Sequence, residues 1–257
     1  MSAQKLLAAL AGCAVAAATL AATSGATSVT AHGGTDGLPQ GSEPVTLNPA
    51  EFTTTIDNPY WPMAPGTRWV YRETTTSGSR RDVEITVMND TRKIANGITA
   101  RVVHDVVTQD GATVELTDDW YAQDAGGNVW YLGESTAEYE NGQVVSRKGS
   151  FEAGVDGAQP GVAMPADPKP GLAYRQEYYA GQAEDNAAIV TMGEERVEVP
   201  FGYFEADVLM TRDLVPLEPR VQELKFYVPG IGPVLSVHTD IGGGRTELVQ
   251  FTPGSPA

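Results

Sequence analysis

The chain has 257 residues, and its 33 acidic and 17 basic residues give a formal net charge of −16 at pH 7. This length allows one large domain or two small ones, with a core that needs no disulfides. So acidic a chain, with no basic stripe to offset the charge, repels phosphate backbones, and the composition therefore argues against nucleic acid as a partner.

The N-terminal segment predicts export from the cytoplasm. Lys5 precedes an apolar run over residues 6–22, and small residues follow as far as Ala31. A positive start, an apolar centre and a small-residue exit are the layout of a secretory signal peptide. The apolar run has about 17 residues, which is marginal for a membrane span. We therefore predict a signal peptide over residues 1–31, a secreted protein, and no transmembrane span in the mature chain.

The one cysteine leaves a second interpretation open. The segment Leu10-Ala11-Gly12-Cys13 resembles the lipobox of bacterial lipoproteins, in which the cysteine is lipidated and anchors the protein to the cell envelope. The apolar run continues past Cys13, which favours ordinary cleavage after Ala26 or Ala31. Such cleavage would remove the cysteine, and with it any disulfide, thiol nucleophile or Cys-ligated metal.

Beyond the signal, the composition indicates three regions. Residues 32–57 contain Gly, Thr and Pro but few large apolar residues, which predicts a flexible leader. Aromatic residues first cluster at residues 58–62, where we expect a single β domain to begin. That domain is predicted to cover residues 58–252, followed by a tail over residues 253–257.

Short runs rich in Thr, Val and Tyr, separated by Gly, Asn, Asp and Pro, predict β-strands. The clearest runs are Thr67–Thr75, Arg81–Met88, Ile98–Thr108, Thr113–Asp124, Asn128–Glu134, Glu138–Ser146, Ala173–Ala180, Ala187–Met192, Arg196–Pro200, Tyr203–Arg212, Val221–Val228, Pro233–Thr239 and Arg245–Phe251. About a dozen strands without crossover helices predict an all-β fold with one large antiparallel barrel, half-barrel or sandwich, a calycin- or lipocalin-like barrel being the first choice. One weak helical candidate covers residues 182–189.

One hairpin can be predicted in detail from its alternation. The even-numbered positions of its first strand are mostly apolar, and Trp120 is among them. Matching this face to Trp130 on the return strand requires a three-residue loop over residues 125–127, with a glycine in the left-handed conformation. The pattern therefore predicts Trp120 and Trp130 on the inner face, and Tyr121 opposite Tyr131 on the outer face.

The composition of two further segments predicts where they lie in the fold. The strand Ile98–Val107 is apolar on both faces, which predicts a central strand. The segment from Gly154 to Gly171 holds four prolines and four glycines. It predicts a long connection, which is either a lid or rim loop or a crossing between two sheets.

Six short sequence motifs are spread over most of the mature chain. They are NPYWP leading to PGT at residues 58–67, DWYAQD at 119–124, GNVWY at 127–131, PADP at 165–168, YRQEYY at 174–179 and YVPGIG at 227–232. Together they resemble an uncharacterised family of secreted or envelope-anchored bacterial proteins. The resemblance implies an extracytoplasmic protein and carries no catalytic residue.

Candidate site residues stand on faces that the alternation marks as apolar. Asp118 shares such a face with Trp120, and a buried carboxylate must be paired, hydrogen-bonded or protonated. His104 lies on an apolar face of the neighbouring strand, where a histidine is a core residue, a ligand or a base. His238 is predicted on the solvent side. The set predicted to bind a ligand is Trp69, His104, Asp118, Trp120, Trp130 and Met164.

These observations lead to one main functional hypothesis and two alternatives. The main hypothesis is an extracytoplasmic, monomeric, non-enzymatic β-barrel-type protein that binds an apolar or amphipathic small ligand. The first alternative is a secreted enzyme with an acid–base site around Asp118 and His104. The second is a structural or adhesive envelope domain. We predict neither a cofactor nor a metal site, because the histidines are few and widely spaced.

Overall fold

The computed structural model describes residues 29–30, 37–239 and 243–255. Within these ranges the chain forms nineteen strands and a short 3-10 helix, Pro49–Glu51. The strands are β1 (Val29–Thr30), β2 (Val45–Thr46), β3 (Phe52–Thr53), β4 (Arg68–Thr75), β5 (Arg80–Lys93), β6 (Thr99–Gln109), β7 (Ala112–Asp124), β8 (Val129–Glu140), β9 (Gln143–Ser146), β10 (Phe151–Glu152), β11 (Gly161–Met164), β12 (Ala173–Tyr179), β13 (Ala183–Met192), β14 (Val197–Val199), β15 (Gly202–Phe204), β16 (Leu209–Leu214), β17 (Gln222–Val228), β18 (Gly232–His238) and β19 (Gly244–Thr252).

Fifteen of these strands form one antiparallel sheet. Its order is β10-β8-β7-β6-β5-β4-β19-β18-β17-β16-β13-β12, with β9 and β11 also paired to β8 and β3 paired to β7. The all-β prediction is confirmed. The hydrogen-bonded ladder does not close on itself, so the architecture fits a half-barrel or sandwich. The strand predicted to be central is β6, which lies between β5 and β7.

The two ends of this sheet meet at a seam between β11 and β12. One isolated bridge joins them, between Gln159 and Tyr178. Beside it the backbones almost touch, because a Cβ atom on Gly161 would lie 2.0 Å from the carbonyl oxygen of Gln176. Only a residue without a side chain permits this approach. The seam therefore encloses an interior that the ladder alone leaves open.

Arg175 ties the N-terminal segment to the seam. Its guanidinium donates to the carbonyl oxygen of Pro160 at 2.8 Å, and to those of Gly41 and Glu43 at 2.9 and 2.7 Å. The side chain is fully buried, and these acceptors replace the water that it has lost. The flexible leader predicted over residues 32–57 is therefore wrong for its described part, which packs against the β domain from residue 37 onward.

The detailed hairpin prediction has the right pairing and the wrong face. Tyr121 lies opposite Tyr131, and the connecting turn places Gly127 at φ 92°. The ring of Trp61 lies 5.8 Å from the ring of Tyr121 and 5.8 Å from that of Tyr227. Since β7 and β17 are far apart in the sheet, rings that meet at Trp61 must point into the enclosed interior. Tyr121 and Tyr131 are thus inside.

Trp120 and Trp130 occupy the other face, and they are buried because other chain segments cover them. The guanidinium of Arg92 lies 4.0 Å from the centre of the Trp120 ring. The ring of Phe52, from the segment before the domain, packs edge-on against Trp130 at 6.2 Å. Alternation separates the two faces of a strand, but it does not identify the inner face when both are covered.

Two expectations about local structure also need correction. The helical candidate over residues 182–189 lies mostly in β13, where burial alternates residue by residue. The long connection from Gly154 to Gly171 contains β11, and all four of its residues are buried. Hence this segment is partly sheet, and its apolar residues Val162, Ala163 and Met164 belong to the core.

The close backbone approach at the seam can be tested by adding a single methyl group to Gly161. Gly161→Ala should destabilise the domain by about 3 kcal/mol or more, because the new Cβ would overlap backbone atoms that cannot rotate away. Gly202→Ala is a matched control, since its Cβ would meet only the Phe204 ring at 3.5 Å. Urea unfolding curves measure both. Equal stability of the two variants would contradict the close approach at the seam.

Candidate functional site

The six residues predicted to bind a ligand do not meet in one cavity. Trp69 is inside, and its indole nitrogen donates to the carbonyl oxygen of Ile231 at 2.7 Å. Trp120 is buried on the outer face of β7. Trp130 and Met164 lie on the neighbouring strands β8 and β11 and are also buried. The remaining two, His104 and Asp118, form a pair of their own.

His104 and Asp118 lie directly opposite each other on the outer faces of β6 and β7. The Nδ1 atom of His104 is 2.6 Å from an oxygen of Asp118, and the two side chains are 32 % and 44 % exposed. The expected partnership is therefore present, but on a face open to solvent and not in the core. On the other side of His104 the sheet places Thr86 of β5.

One end of the enclosed interior is lined by ionisable side chains. The buried charged residues of this inner face are Glu73, Asp105, Glu115, Asp119, Glu134, Glu177, Asp185, Asp213, Glu223 and Lys225. Carboxyl groups are almost never fully buried unless they are paired or protonated. The carboxyl groups at this end of the interior must therefore be paired with a partner or hold a proton.

Lys225 organises one group of these side chains. Its Nζ atom lies 2.6 Å from a carboxylate oxygen of Asp213 and 3.2 Å from one of Glu223. The Thr211 hydroxyl donates to Asp213 at 2.8 Å, and the Ser236 hydroxyl donates to Glu223. One ammonium cannot neutralise two carboxylates, and burial raises the pKa of Glu223 to about 8 although Lys225 opposes the shift. The nearby carboxylates hold the pKa of Lys225 above its usual value.

A second group surrounds two tyrosine hydroxyls. The Tyr131 hydroxyl lies 2.7 Å from an oxygen of Asp119 and 3.1 Å from one of Glu134, and donates its single proton to one at a time. Burial raises the pKa of Tyr121 and Tyr131 well above the usual value, and these carboxylates add to the shift. Burial, followed by the charge of Asp119, also raises the pKa of Asp105 well above its usual value.

The described part of the interior contains a small cavity. A cavity of about 10 Å³ lies where the apolar and polar parts meet, which is room for about one water molecule. It is lined by Trp61, Met63, Trp69, Tyr71, Ile85, Val103, Asp119, Tyr121 and Pro233. A small organic ligand needs a far larger cavity. This cavity does not support the expected binding of an apolar ligand inside the half-barrel.

A larger depression lies on the outer face where β18, β19 and β4 adjoin, and we call it the rim groove. Its volume is about 560 Å³, within the range of small-molecule sites. It is lined by Thr74, Thr75, Thr76, Leu235, Val237, His238, Gly243, Gly244 and Arg245.

The prediction that His238 faces solvent is wrong. Its side chain is 7 % exposed, and its Nε2 atom lies 3.8 Å from a carboxylate oxygen of Glu223.

The rim groove combines apolar and cationic chemistry. Val237 lies opposite Arg245, and Arg245 lies opposite Thr74 on its other side. Leu235 continues the apolar strip along β18. The Arg245 guanidinium is 2.8 Å from Glu247 and 48 % exposed, so it remains accessible to a ligand.

No protein-family model and no curated protein matches the chain. Among solved structures it resembles the crystal structure of a putative lipoprotein from Parabacteroides distasonis, with 14% sequence identity and a TM-score of 0.40. The match covers 75% of this chain and 98% of that one.

Across residues 29–30, 37–239 and 243–255, no helix has the length and apolar character to cross a membrane. Nor are three metal-ligating side chains grouped there to hold an ion.

Glu73 extends the acidic interior to β4, beside Arg81. The Arg81 guanidinium lies 3.8 Å from the Glu73 carboxylate. Burial raises the pKa of Glu73 to about 7, and the attraction of Arg81 only partly opposes this. Like Glu223, Glu73 therefore holds a proton at a pH where an unfolded chain has released it.

The raised pKa values predict a loss of stability as the pH rises. Folded-state pKa values above the unfolded value mean that the folded state binds more protons, so stability falls between about pH 5 and pH 8. Glu73→Gln should remove up to about 3 kcal/mol of this decrease, because the amide does not ionise. The exposed Glu198→Gln is the control. Urea unfolding across this pH range measures the slope, and an unchanged slope in Glu73→Gln would contradict the assignment.

Proposed function

We propose that this protein is an extracytoplasmic, non-enzymatic binding protein, and that its rim groove takes a small amphipathic ligand with an anionic group. The observation that carries the proposal is the groove itself, whose volume of about 560 Å³ suits such a ligand. Its apolar strip, Leu235 and Val237, adjoins the accessible guanidinium of Arg245. A ligand with an apolar body and an acidic head would satisfy both.

The preference for an anionic head follows from local charge. The chain as a whole carries −16, yet arginines gather beside the groove. Thr74 lies between Arg245 on β19 and Arg80 on β5, and Arg72 follows on the same face of β4. Asp82 and Glu247 flank Arg72 on this face, so the three arginines leave only a small positive excess. On an otherwise acidic protein this excess still favours an anion here over other parts of the surface.

The extracytoplasmic location rests on the N-terminal pattern, most of which lies outside the described residues. The intact mass of the protein recovered from its host tests it. A mass that begins at Thr27 or His32 supports free secretion, whereas an acylated Cys13 supports an envelope anchor. A chain that retains residues 1–12 would contradict both.

Binding can be measured with the anionic apolar dye 1-anilinonaphthalene-8-sulfonate. The wild type should bind it saturably, and Arg245→Gln should weaken binding about two- to fivefold, as expected for an exposed ionic contact. Val237→Asn should also weaken it, because the apolar strip is interrupted. Arg212→Gln, on the exposed face of β16, is the control. Unchanged affinity in both groove variants, or equal weakening in the control, would contradict the proposal.

A second candidate function is acid–base catalysis at the outer pair. It is favoured by the 2.6 Å contact between His104 and Asp118. When the neutral imidazole donates Nδ1–H to the carboxylate, its Nε2 lone pair is left to accept a proton. Thr86, opposite His104 on the other side, supplies a hydroxyl on the same face.

Ester hydrolysis tests this second candidate. If the pair is catalytic, the wild type should hydrolyse a p-nitrophenyl ester, and His104→Gln should reduce the rate at least about a hundredfold, the usual contribution of a general base. Asp118→Asn should also reduce the hydrolysis rate, because an amide no longer holds the His104 imidazole in the tautomer that carries its proton on Nδ1. Identical rates in the wild type and His104→Gln would exclude this function.

A further inference from the structure

The group around Lys225 brings an amine against a carboxyl group inside the sheet. The Nζ atom of Lys225 lies 2.6 Å from an oxygen of Asp213, and a Glu223 oxygen lies 3.2 Å from the same nitrogen. Lys225, Asp213 and Glu223 are only 2%, 6% and 4% exposed. An amine and a carboxyl group are the two reactants of an amide bond, and a second carboxyl group beside them can carry protons between them.

Adjacent strands hold these groups in place. In the ladder between β16 and β17, Asp213 lies opposite Glu223, and Thr211 lies opposite Lys225. The Thr211 hydroxyl donates to Oδ1 of Asp213 at 2.8 Å, which leaves Oδ2 facing the Lys225 nitrogen. The Ser236 hydroxyl of β18 donates to Glu223. Groups fixed in contact in this way react as if each were present at a very high concentration.

Burial changes the balance between an ion pair and an amide. In water, hydration stabilises an ammonium and a carboxylate, and this opposes their condensation. Inside a protein both ions lose most of that hydration, and their mutual attraction often offsets the loss only in part. An amide bond removes both charges and releases one water molecule. The enclosed interior therefore favours condensation of a pair that would stay ionic at the surface.

Two buried tyrosine rings stand beside the pair. Tyr174 and Tyr227 are 1% and 0% exposed. Burial raises the pKa of both hydroxyls well above the usual value, and nearby charges, that of Asp213 among them, add to the shift. The influence of Asp213 on both hydroxyls places these rings close to the reacting groups. Buried rings there limit the access of bulk water to the amide once it has formed.

We propose that Lys225 and Asp213 condense in the folded protein to an intramolecular amide bond, with Glu223 as the proton carrier. One proton passes from Nζ to the Asp213 carboxylate, and the freed lone pair of Nζ attacks Cγ. Glu223 then donates its proton to the departing hydroxyl and takes one from the nitrogen. The C–N bond forms, the C–O bond breaks, and one water molecule leaves. No oxidant or other reactant is needed, and the proposal does not depend on a ligand in the rim groove.

The protonation states of the group are compatible with this sequence of steps. Burial raises the pKa of Glu223 to about 8, so at neutral pH this residue holds the proton that it must donate. Burial alone would lower the pKa of Lys225, but the attraction of Asp213 and Glu223 outweighs it and keeps the lysine charged towards solvent. The first step moves a proton within the ion pair and gives none to solvent, so the charged lysine is its starting state.

Peptide mapping of the full chain, unfolded after purification, tests the bond directly. Trypsin cuts after lysine and arginine, so an unlinked chain yields peptides 213–220 and 221–225. The bond blocks the cut after Lys225 and joins peptide 213–220 to peptide 221–245. The joined product should be lighter than the two peptides together by one water molecule, about 18 Da. Complete recovery of the free peptides from the wild type would overturn the proposal.

The chain contains a matched control for the effect of burial. The Nζ atom of Lys169 also lies 2.6 Å from a carboxylate oxygen, that of Asp167, but these side chains are 63% and 58% exposed. The tryptic peptide that contains both should keep its full mass, because water stabilises the two ions. Loss of water there at equal yield would overturn the argument from burial. Fragmentation spectra that join Lys225 to Glu223 would overturn the assignment to Asp213.

Variants test the roles of the two other reacting groups. Lys225→Arg should give no joined peptide, because a guanidinium that stays protonated is not a nucleophile. Glu223→Gln should slow bond formation at least about a hundredfold, since an amide does not carry the proton. The exposed Glu198→Gln is the control and should form the bond as the wild type does. The joined fraction is measured at fixed times after synthesis, and circular dichroism checks that each variant folds.

Equal rates in the wild type and Glu223→Gln would overturn the role of Glu223. A joined product in Lys225→Arg would overturn the role of Lys225. If either interior variant fails to fold, the peptide map of the wild type still decides whether the bond exists.

Discussion

The enclosed interior depends on the contact between the two ends of the sheet. The ladder leaves β11 and β12 joined by a single bridge, so the contact relies on the backbone approach at Gly161 and on Arg175. Burial lowers the pKa of Arg175 to about 10, which still leaves it charged at neutral pH. Its carbonyl partners come from both the seam and the N-terminal segment. Without this contact the inner carboxyl groups would meet water.

Enclosure imposes a cost that the inner side chains must offset together. A buried carboxyl group can hold its proton, bind a cation or accept hydrogen bonds. The region around Lys225 uses all three solutions, since the pKa of Glu223 is also raised by burial. Burial pushes Glu73 and Asp105 toward the first. Such a set is sensitive to pH, since protonation neutralises the charge that burial has made costly.

The fold class could be predicted from the sequence, but the location of the site could not. Turn residues and β-rich runs gave β4, β7 and β12 to within one residue at either end. Alternation also paired Tyr121 with Tyr131, yet it placed the wrong face inward, because apolar Trp120 and Trp130 are buried under other segments. The acidic residues and the tyrosine on the opposite face of β7 were the sequence signal that could have identified the inner face. The rim groove needs the pairing of β19 with β4, which sequence periodicity does not contain.

The pairing of β4 with β19 has a consequence for how the molecule assembles. The first long strand finds its neighbour only at Gly244–Thr252, so its edge stays unpaired until almost the whole chain is available. Contacts between residues so distant in sequence make folding slow, and an open edge invites pairing with another chain. A protein that emerges N-terminus first from a membrane pore would expose this edge longest, and would benefit from a chaperone that covers it.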